Sequence, residues 1–194
     1  MMKLSWPVAA ALFLLGAVVS PIGDHIHVVT GTTSYPDLSV PFIWSSPFWF
    51  PLLVGGATVA LAELRLHLGP LREAVTPRMG LAAVAAVMGA YATTGLLRGS
   101  SEVLSTTLIF SLAAITWCAL GDRAAAVCGL VAAVVGAGFE AILVAADVFS
   151  YADEGSSLLG VAPWLPGLYF GFGVTAAVLV ELAGQGARRE VRSV

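Results

Sequence analysis

Six long apolar stretches, separated by short polar segments, dominate the hydropathy pattern of this chain. The stretches cover residues 4–22, 41–62, 79–97, 103–120, 124–146 and 163–183. Each approaches the ~20 apolar residues that a helix needs to cross a bilayer core about 30 Å thick. Because backbone N–H and C=O groups find no partners in lipid, each stretch is predicted to be a helix. The expected fold class is therefore all-α, with residues 1–194 forming one domain, a single bundle of six transmembrane helices.

The composition agrees with a polytopic membrane protein. Hydrophobic residues make up 58% of the 194 residues and charged residues only 11%, whereas a soluble domain carries about 25% charge. The first stretch follows Lys3 and resembles a signal peptide, but Ser20-Pro21 is a poor cleavage context. We therefore predict that this stretch is retained as the first helix. No basic face or motif indicates nucleic-acid binding.

The cations predict the orientation of the bundle. If six helices alternate across the membrane, eight of the nine Lys and Arg residues lie on one side and only Arg98 lies on the other. The eight are Lys3, Arg65, Arg72, Arg78, Arg123, Arg188, Arg189 and Arg192. The loops of the opposite side carry the acids Asp24, Asp37, Asp147, Asp153 and Glu154. By the positive-inside rule, both termini are expected in the cytoplasm.

Residues 23–40 read as a polar loop that contains two histidines. His25 and His27 are two positions apart, so only an extended strand would place them on one face. A metal site with Asp24 and a solvated loop are the alternatives, and the loop is the simpler interpretation. Cys118 and Cys128 lie in or beside apolar stretches and are expected to act as small hydrophobic residues.

Glu140 is the one acid well inside a predicted span. An ionised side chain there is costly, so a functional role as a lipid or proton site is one interpretation. The other is an interhelical hydrogen bond to a Ser, Thr or Tyr side chain. Hydroxyl groups cluster in the third and fourth spans, where they either line a pocket or bond back to their own helices. The cluster consists of Tyr91, Thr93, Thr94, Ser105, Thr106, Thr107, Ser111 and Thr116.

The last span carries small residues at helical spacing. Gly167 and Gly171 form a GxxxG pair, and Gly173 adds a third small position. Small residues let a neighbouring helix approach closely in lipid, so these three glycines are predicted helix-packing positions. The packing partner is either another helix of the same chain or a second copy in a homo-oligomer.

Asp122-Arg123 connects the fourth and fifth spans. Asp122 is a natural N-cap for the fifth helix and Arg123 obeys the positive-inside rule, but the pair is also a candidate partner-binding site. We find no HExxH motif, no GxSxG elbow and no phosphate-binding loop. The sequence thus predicts a non-enzymatic protein without a metal or cofactor.

Several short motifs resemble the INSIG family of six-span regulators of sterol sensing. They occur in family order over residues 35–175. They are Tyr35-Pro36-Asp37, Trp49-Phe50-Pro51, His67-Leu68-Gly69, Gly121-Asp122-Arg123, Val148-Phe149-Ser150-Tyr151, Trp164-Leu165-Pro166, Tyr169-Phe170 and Gly173-Val174-Thr175. The resemblance implies a six-helix membrane protein that binds a lipid. INSIG proteins bind oxysterols and hold a sterol-sensing escort protein and HMG-CoA reductase in the endoplasmic reticulum membrane.

The resemblance also implies roles for individual residues. Asp122 matches the family aspartate that matters for partner binding, while Ser105 and Trp117 fall near the family's pocket positions. The Ala-, Gly- and Val-rich, Lys-poor composition is typical of a bacterium, so the expected location is a bacterial plasma membrane and the expected ligand a neutral, hydroxyl-bearing lipid. Diacylglycerol or a sterol-like lipid fits this description. The predicted lipid-binding residues are Trp49, Val87, Tyr91, Ser105, Trp117, Glu140 and Tyr169.

Three functional hypotheses follow. The favoured one is a lipid-binding sensor or scaffold for another membrane protein, with a central intramembrane cavity. The second is a small transporter or channel that uses Glu140 as an ion or proton site, although no internal repeat supports it. The third, a lipid-modifying enzyme, lacks a recognisable catalytic set.

Overall fold

The computed structural model describes residues 3–36, 40–152 and 155–192, with side chains described as far as residue 185. The described residues form six α-helices in the predicted order. They are α1 (Trp6–Val29), α2 (Trp49–His67), α3 (Pro77–Leu96), α4 (Glu102–Leu120), α5 (Arg123–Ala145) and α6 (Leu165–Arg192). All six are long and apolar enough to cross a membrane. The predicted all-α bundle of six spans is confirmed.

Consecutive helices run antiparallel, so α1 begins and α6 ends at the same end of the bundle, called here the terminal end. At the opposite end, the described residues form four two-residue strands. They are β1 (Thr33–Ser34), β2 (Phe42–Ile43), β3 (Ser46–Pro47) and β4 (Ser150–Tyr151). β2 and β3 form a hairpin, while β1 pairs antiparallel with β4. In the second pair Thr33 faces Tyr151, so the α1–α2 and α5–α6 connections are joined.

The end of α1 and the start of α2 differ from the prediction. α1 continues to Val29, so Asp24, His25 and His27 lie on a helix rather than in a polar loop. The alternation that would bring the two histidines onto one face of a strand is therefore absent. α2 begins at Trp49 because residues 41–48 contain the β2–β3 hairpin. Of the other residues used in the predictions, Asp37, Asp153 and Glu154 and the side chains of Arg188, Arg189 and Arg192 lie outside the described part.

α6 is the central helix of the bundle. Its side chains Val174, Ala177 and Val178 are fully buried, and its most extensive contact is with α5. A Cβ atom added to Gly173 would lie 2.4 Å from the Cys128 carbonyl oxygen, which only glycine tolerates. The predicted packing role therefore fits Gly173 best. Gly167 lies against the Phe110 ring of α4.

Gly171 departs from the expected packing. It is buried, but no atom of another element lies within 4 Å of the position that its Cβ would occupy. The close helix contact predicted for this glycine is therefore not made within the described part of the chain. Gly171 instead borders a cavity between α3, α4 and α6.

Candidate functional site

Two cavities lie one above the other in the cleft between α3, α4 and the first turns of α6. The polar cavity, of about 50 Å³, lies at the opposite end and includes Thr94, Ser105 and Trp164 in its wall. The apolar cavity, of about 10 Å³, is bordered by residues that include Ala90, Ile109 and Leu168. On α3, on α4 and at the start of α6, the residue named for one cavity lies four positions from the residue named for the other. Four positions correspond to about one helical turn, or 6 Å. Together the two cavities mark one cleft with a polar upper part and an apolar lower part.

Four buried residues with a hydroxyl group, each from a different part of the chain, line the polar cavity. They are Thr32 after α1, Thr94 on α3, Ser105 on α4 and Tyr151 in β4. The Thr94 hydroxyl donates to the Tyr91 carbonyl at 2.6 Å, and His27 Nε2 lies 2.7 Å from the same oxygen. Because the Thr94 proton is already used, His27 is the donor in this second bond.

Tyr151 and Tyr169 hold the carboxylate of Glu140. Tyr151 donates to Oε2, and Tyr169 donates to Oε1 at 2.5 Å. The three side chains, called here the Glu140 clamp, join α5, β4 and α6. Burial raises the pKa of Tyr151 well above its usual range, and the nearby Glu140 charge adds to this effect. The Tyr151 phenol therefore stays protonated and remains a donor.

A second clamp of the same kind surrounds Asp24. The Tyr35 hydroxyl lies 3.1 and 3.0 Å from its two carboxylate oxygens, and Ser46 donates to Oδ2 at 2.6 Å. Asp24 is only 4% exposed. Burial raises the pKa of Tyr35 far above its usual range, so this phenol also remains a donor. The Asp24 clamp attaches the α1–α2 connection to α1.

The terminal end contains an ionic cluster of Arg65, Arg72, Asp122 and Glu181. Glu181 is completely buried, with Arg65 on Oε1 and Arg72 Nη2 at 2.5 Å from Oε2. Arg65, 1% exposed, also lies 3.3 Å from Asp122 Oδ2. Arg72 Nη2 donates to the Leu120 carbonyl at 2.8 Å. The ion pairs connect α2, the α2–α3 connection, α6 and the α4–α5 turn, and the bond to Leu120 adds the end of α4.

The structure brings only some of the predicted lipid-binding residues to the cavities. Ser105 lines the polar cavity and Val87 the apolar one. Neither cavity is lined by Trp49, Tyr91, Trp117, Glu140 or Tyr169. Of these, Glu140 and Tyr169 bond each other, which is the interhelical hydrogen bond that was the alternative to a ligand site. The lipid-binding assignments remain predictions.

The other aromatic candidates have contacts within the protein. Trp49 is the first residue of α2 and packs edge-on against Phe50. The Tyr91 ring lies 4.4 Å, centroid to centroid, from the His27 ring. Trp117 donates its indole N–H to the Asp122 carbonyl at 2.8 Å. None of these three side chains lines either cavity.

Asp122 has two structural roles in the chain. Its side chain accepts from the Ala125 backbone N–H at 2.7 Å and so caps α5, as predicted for this position. It also belongs to the ionic cluster, yet 29% of its side chain is exposed. Arg123, the first residue of α5, is exposed. Partner binding by these two residues stays a prediction.

Sequence reasoning missed several residues of these sites. Arg65 was used only as a loop cation that predicts the orientation of the bundle, and Glu181 was given no role, although both are buried and paired. The apolar cavity is bordered by Thr116, named above as a hydroxyl that either lines a pocket or bonds back, and by Gly167 and Gly171, which were predicted for helix packing only. The spacing of these three residues along α4 and α6 indicates that they face the same space. It does not indicate that this space is an unfilled cavity. Within the described residues, no group of three His, Cys, Asp or Glu side chains is arranged to hold a metal ion.

Comparison with known proteins places the chain in a family. No family model matches it. An INSIG protein homolog from Mycolicibacterium vanbaalenii is 57% identical over 182 residues, which cover 94% of this chain and 89% of the relative. The chain belongs to the INSIG family. The resemblance seen in the sequence motifs is thereby confirmed, and this INSIG-family chain is an integral membrane protein.

Solved structures agree with this assignment. The crystal structure of the mycobacterial Insig homolog MvINS from Mycobacterium vanbaalenii superposes on the INSIG-family chain with a TM-score of 0.93 at 56% identity. A crystal structure of a cross-linked MvINS trimer gives the same TM-score at 55% identity. Each superposition covers 95% of this chain and 97% of the other. The six-helix bundle described above is therefore the fold of the MvINS structures.

Proposed function

We propose that this INSIG-family protein is a non-enzymatic lipid sensor or scaffold of a bacterial plasma membrane. Its ligand is a neutral lipid with a free hydroxyl group, of the diacylglycerol-like or sterol-like kind. The lipid lies in the cleft between α3, α4 and α6. One observation carries the proposal: the cleft contains a cavity lined by hydroxyl groups directly above a cavity lined by apolar residues. An amphiphile with a small polar head has this same order of polarity.

The dimensions of the cleft determine how the lipid enters. A cavity of about 50 Å³ holds a few water-sized groups, and the apolar cavity of about 10 Å³ holds one at most. A lipid tail therefore requires the α3–α4 hairpin to separate from α6. Small residues border the lower cavity, among them Ala86, Ala90, Ala113 and Gly171. Such residues leave space for a tail once the helices part.

The transporter alternative gains no support from the described residues. Both carboxylate oxygens of Glu140 accept tyrosine protons. The six helices are each continuous, without the broken helices that form ion sites in transporters. The hydroxyl-lined cavity favours binding of a lipid.

The test is native mass spectrometry with lipid extraction on the purified protein. We expect about one neutral lipid per chain in the wild type. Gly171→Leu fills the apolar cavity and is expected to remove the lipid. The control is Gly56→Leu, since Gly56 also has open space at its Cβ position but lies exposed on α2. Bulk phospholipid that is bound equally by both variants and the wild type would contradict the proposal.

We also infer that the protein self-associates, since the related MvINS has been crystallised as a cross-linked trimer. The same mass spectra test this inference through the number of chains in each complex. A protein that remains monomeric in every detergent and in nanodiscs would contradict it.

A further inference from the structure

Two tight turns at the opposite end place large apolar residues in a backbone conformation that such residues rarely adopt. Trp44, in the loop of the β2–β3 hairpin, has a φ of 55°, and Leu159, between the bridged residues Leu158 and Val161, has a φ of 54°. A positive φ is an outlier for a bulky side chain, and Gly, Asn or Asp is the usual residue in such turns. The geometry of the turns therefore does not explain why a tryptophan and a leucine occupy these two positions.

Packing within the chain does not explain the two side chains either. Trp44 is 71% exposed and Leu159 is 81% exposed, so most of each side chain lies outside the protein. The neighbours Ile43 and Leu158 are large apolar residues that are also exposed. A strained backbone costs free energy and persists where another interaction offsets that cost. The offsetting interaction is therefore to be sought in the surroundings of the two turns.

The turn at Trp44, called here the Trp44 turn, lies alongside α1. The Ser45 hydroxyl oxygen lies 2.8 Å from Nδ1 of His25, and the Trp44 ring lies 6.3 Å from the His25 ring, centroid to centroid. His25 is exposed and continues the exposed apolar face of α1 that Val18 and Ile22 form. It lies 19 residues, about 28 Å, beyond the first residue of α1. Because the hydrocarbon core of a bilayer is about 30 Å thick, the Trp44 turn lies near the edge of that core.

The turn at Leu159, called here the Leu159 turn, lies against α5 at a similar depth. A Cβ atom added to Gly160 would lie 3.0 Å from Cγ1 of Val144. Val144 is 21 residues, about 32 Å, beyond the first residue of α5. Two positions before it, Ile142 is exposed on the same helix. Both turns thus adjoin exposed apolar helix surface at the level where the hydrocarbon core meets the lipid head groups.

We propose that the Trp44 turn and the Leu159 turn insert their apolar side chains into the head-group region of the leaflet at the opposite end. Tryptophan favours this region because its ring is apolar while its N–H group finds polar partners there. Removal of the Leu159 side chain from water offsets the strain of its backbone. The inference goes beyond the proposed function, because it concerns the bulk lipid around the bundle rather than a ligand in the cleft.

The positions of the two turns favour a lipid surface over a partner protein. The turns lie beside different helices, α1 and α5, and lipid surrounds a membrane-spanning bundle on every side. The insertions would also attach both long connections of the opposite end to the bilayer. These are the α1–α2 and α5–α6 connections, which the pairing of β1 with β4 already joins.

The test is tryptophan fluorescence of the whole protein in nanodiscs of phosphatidylcholine. The acyl chains are brominated either near the head group or near the chain end, and iodide is the quencher in the water phase. The emission of Trp44 is the difference between the wild type and Trp44→Phe. We expect bromine near the head group to quench most of this emission, bromine near the chain end to quench less, and iodide to quench little.

A second reporter and a matched control complete the experiment. Leu159→Trp adds emission to that of the wild type, and this added emission should show the same order of quenching. Val134→Trp is the control, because Val134 is 74% exposed at the middle of α5. Its added emission should be quenched most by bromine near the chain end. Thermal unfolding of each variant establishes that it is folded.

Each alternative outcome would overturn the proposal. Strong quenching of either reporter by iodide would place its turn in water. A reporter that neither bromine nor iodide quenches would be covered by protein, for which a second copy of the chain is the source in a purified sample. A reporter with the same depth profile as Val134→Trp would place its turn in the hydrocarbon core rather than among the head groups.

Discussion

The two ends of the bundle stabilise buried acids in different ways. At the terminal end, the fully buried Glu181 lies between two arginines, and Arg65 also approaches Asp122. At the opposite end, Asp24 and Glu140 are held by tyrosine and serine hydroxyls. All ion pairs found among the described residues belong to the terminal end.

This difference determines how each end responds to the loss of charge. An ion pair depends on both charges, because removal of one leaves its partner buried and uncompensated. A hydroxyl donates to a carboxylate or to a neutral amide oxygen, so a hydroxyl clamp keeps most of its bonds when its acid becomes an amide. The terminal end is therefore expected to need its charges, and the opposite end to need its hydrogen-bond geometry.

Glu181→Gln is expected to have the largest effect on stability. The change keeps the shape of the side chain but leaves Arg65 and Arg72 without their shared buried carboxylate. Breaking a buried pair in this way costs about 3–5 kcal/mol of unfolding free energy. Thermal unfolding in mild detergent measures this as a lowered melting temperature.

Glu102→Gln is the control for this first prediction, because Glu102 accepts hydrogen bonds from Ser157 but forms no ion pair among the described residues. Its melting temperature should stay near that of the wild type. If Glu181→Gln were as stable as this control, the ionic cluster would contribute little and the contrast between the two ends would fail.

Glu140→Gln is expected to cost less, about 1–2 kcal/mol of unfolding free energy. The glutamine oxygen accepts from one tyrosine, while its NH₂ group donates to the other after that phenol rotates. Glu140→Ala removes both acceptors and should cost more than the glutamine variant. Thermal unfolding in the same detergent compares the two. A glutamine variant as unstable as Glu181→Gln would show that charge, rather than hydrogen bonding, is required at the opposite end.

The six helices were predictable because the bilayer imposes the same requirement on every span. Apolar runs of about 20 residues, separated by polar segments, identify spans without knowledge of their partners. The end of α1 was not predictable in this way. Asp24 and His27 look like loop residues by polarity, yet their partners Ser46 and Thr94 lie 22 and 67 positions away. The local sequence around Asp24 and His27 does not show that such distant partners exist.

The candidate site was predictable only in part, for a related reason. Position within a span marked Glu140 as unusual, and the alternative of a hydrogen bond to tyrosine was stated from the sequence. The cavities depend on where side chains fail to fill space. Gly171 illustrates this, because the same GxxxG spacing that predicts a close helix contact borders a vacant volume here. Such vacancies follow from three-dimensional packing rather than from spacing.

Alkaline pH is expected to have the smallest effect on the free energy of unfolding. This effect comes from a tyrosine at the opposite end of the bundle. Tyrosine in the unfolded chain has a pKa of about 10, whereas burial raises the pKa of Tyr151 well above that value in the folded protein. The stabilisation that comes from the protonated Tyr151 phenol is therefore complete below pH 10. It is lost as the pH rises towards the pKa of Tyr151 in the folded protein, because the phenol releases its proton first in the unfolded chain.

At pH 10.5 this difference in pKa lowers the free energy of unfolding by about 0.8 kcal/mol for one such tyrosine. Denaturant unfolding in detergent at pH 9 and pH 10.5 measures the loss in the wild type and in Tyr151→Phe. The variant lacks the titrating group, so its loss should be smaller by that amount, whatever its absolute stability. The ionic cluster is the same in both proteins, so its contribution cancels in the comparison. An equal loss in both proteins would mean that Tyr151 ionises as it does in the unfolded chain, which is incompatible with a phenol that must keep its proton to hold Glu140.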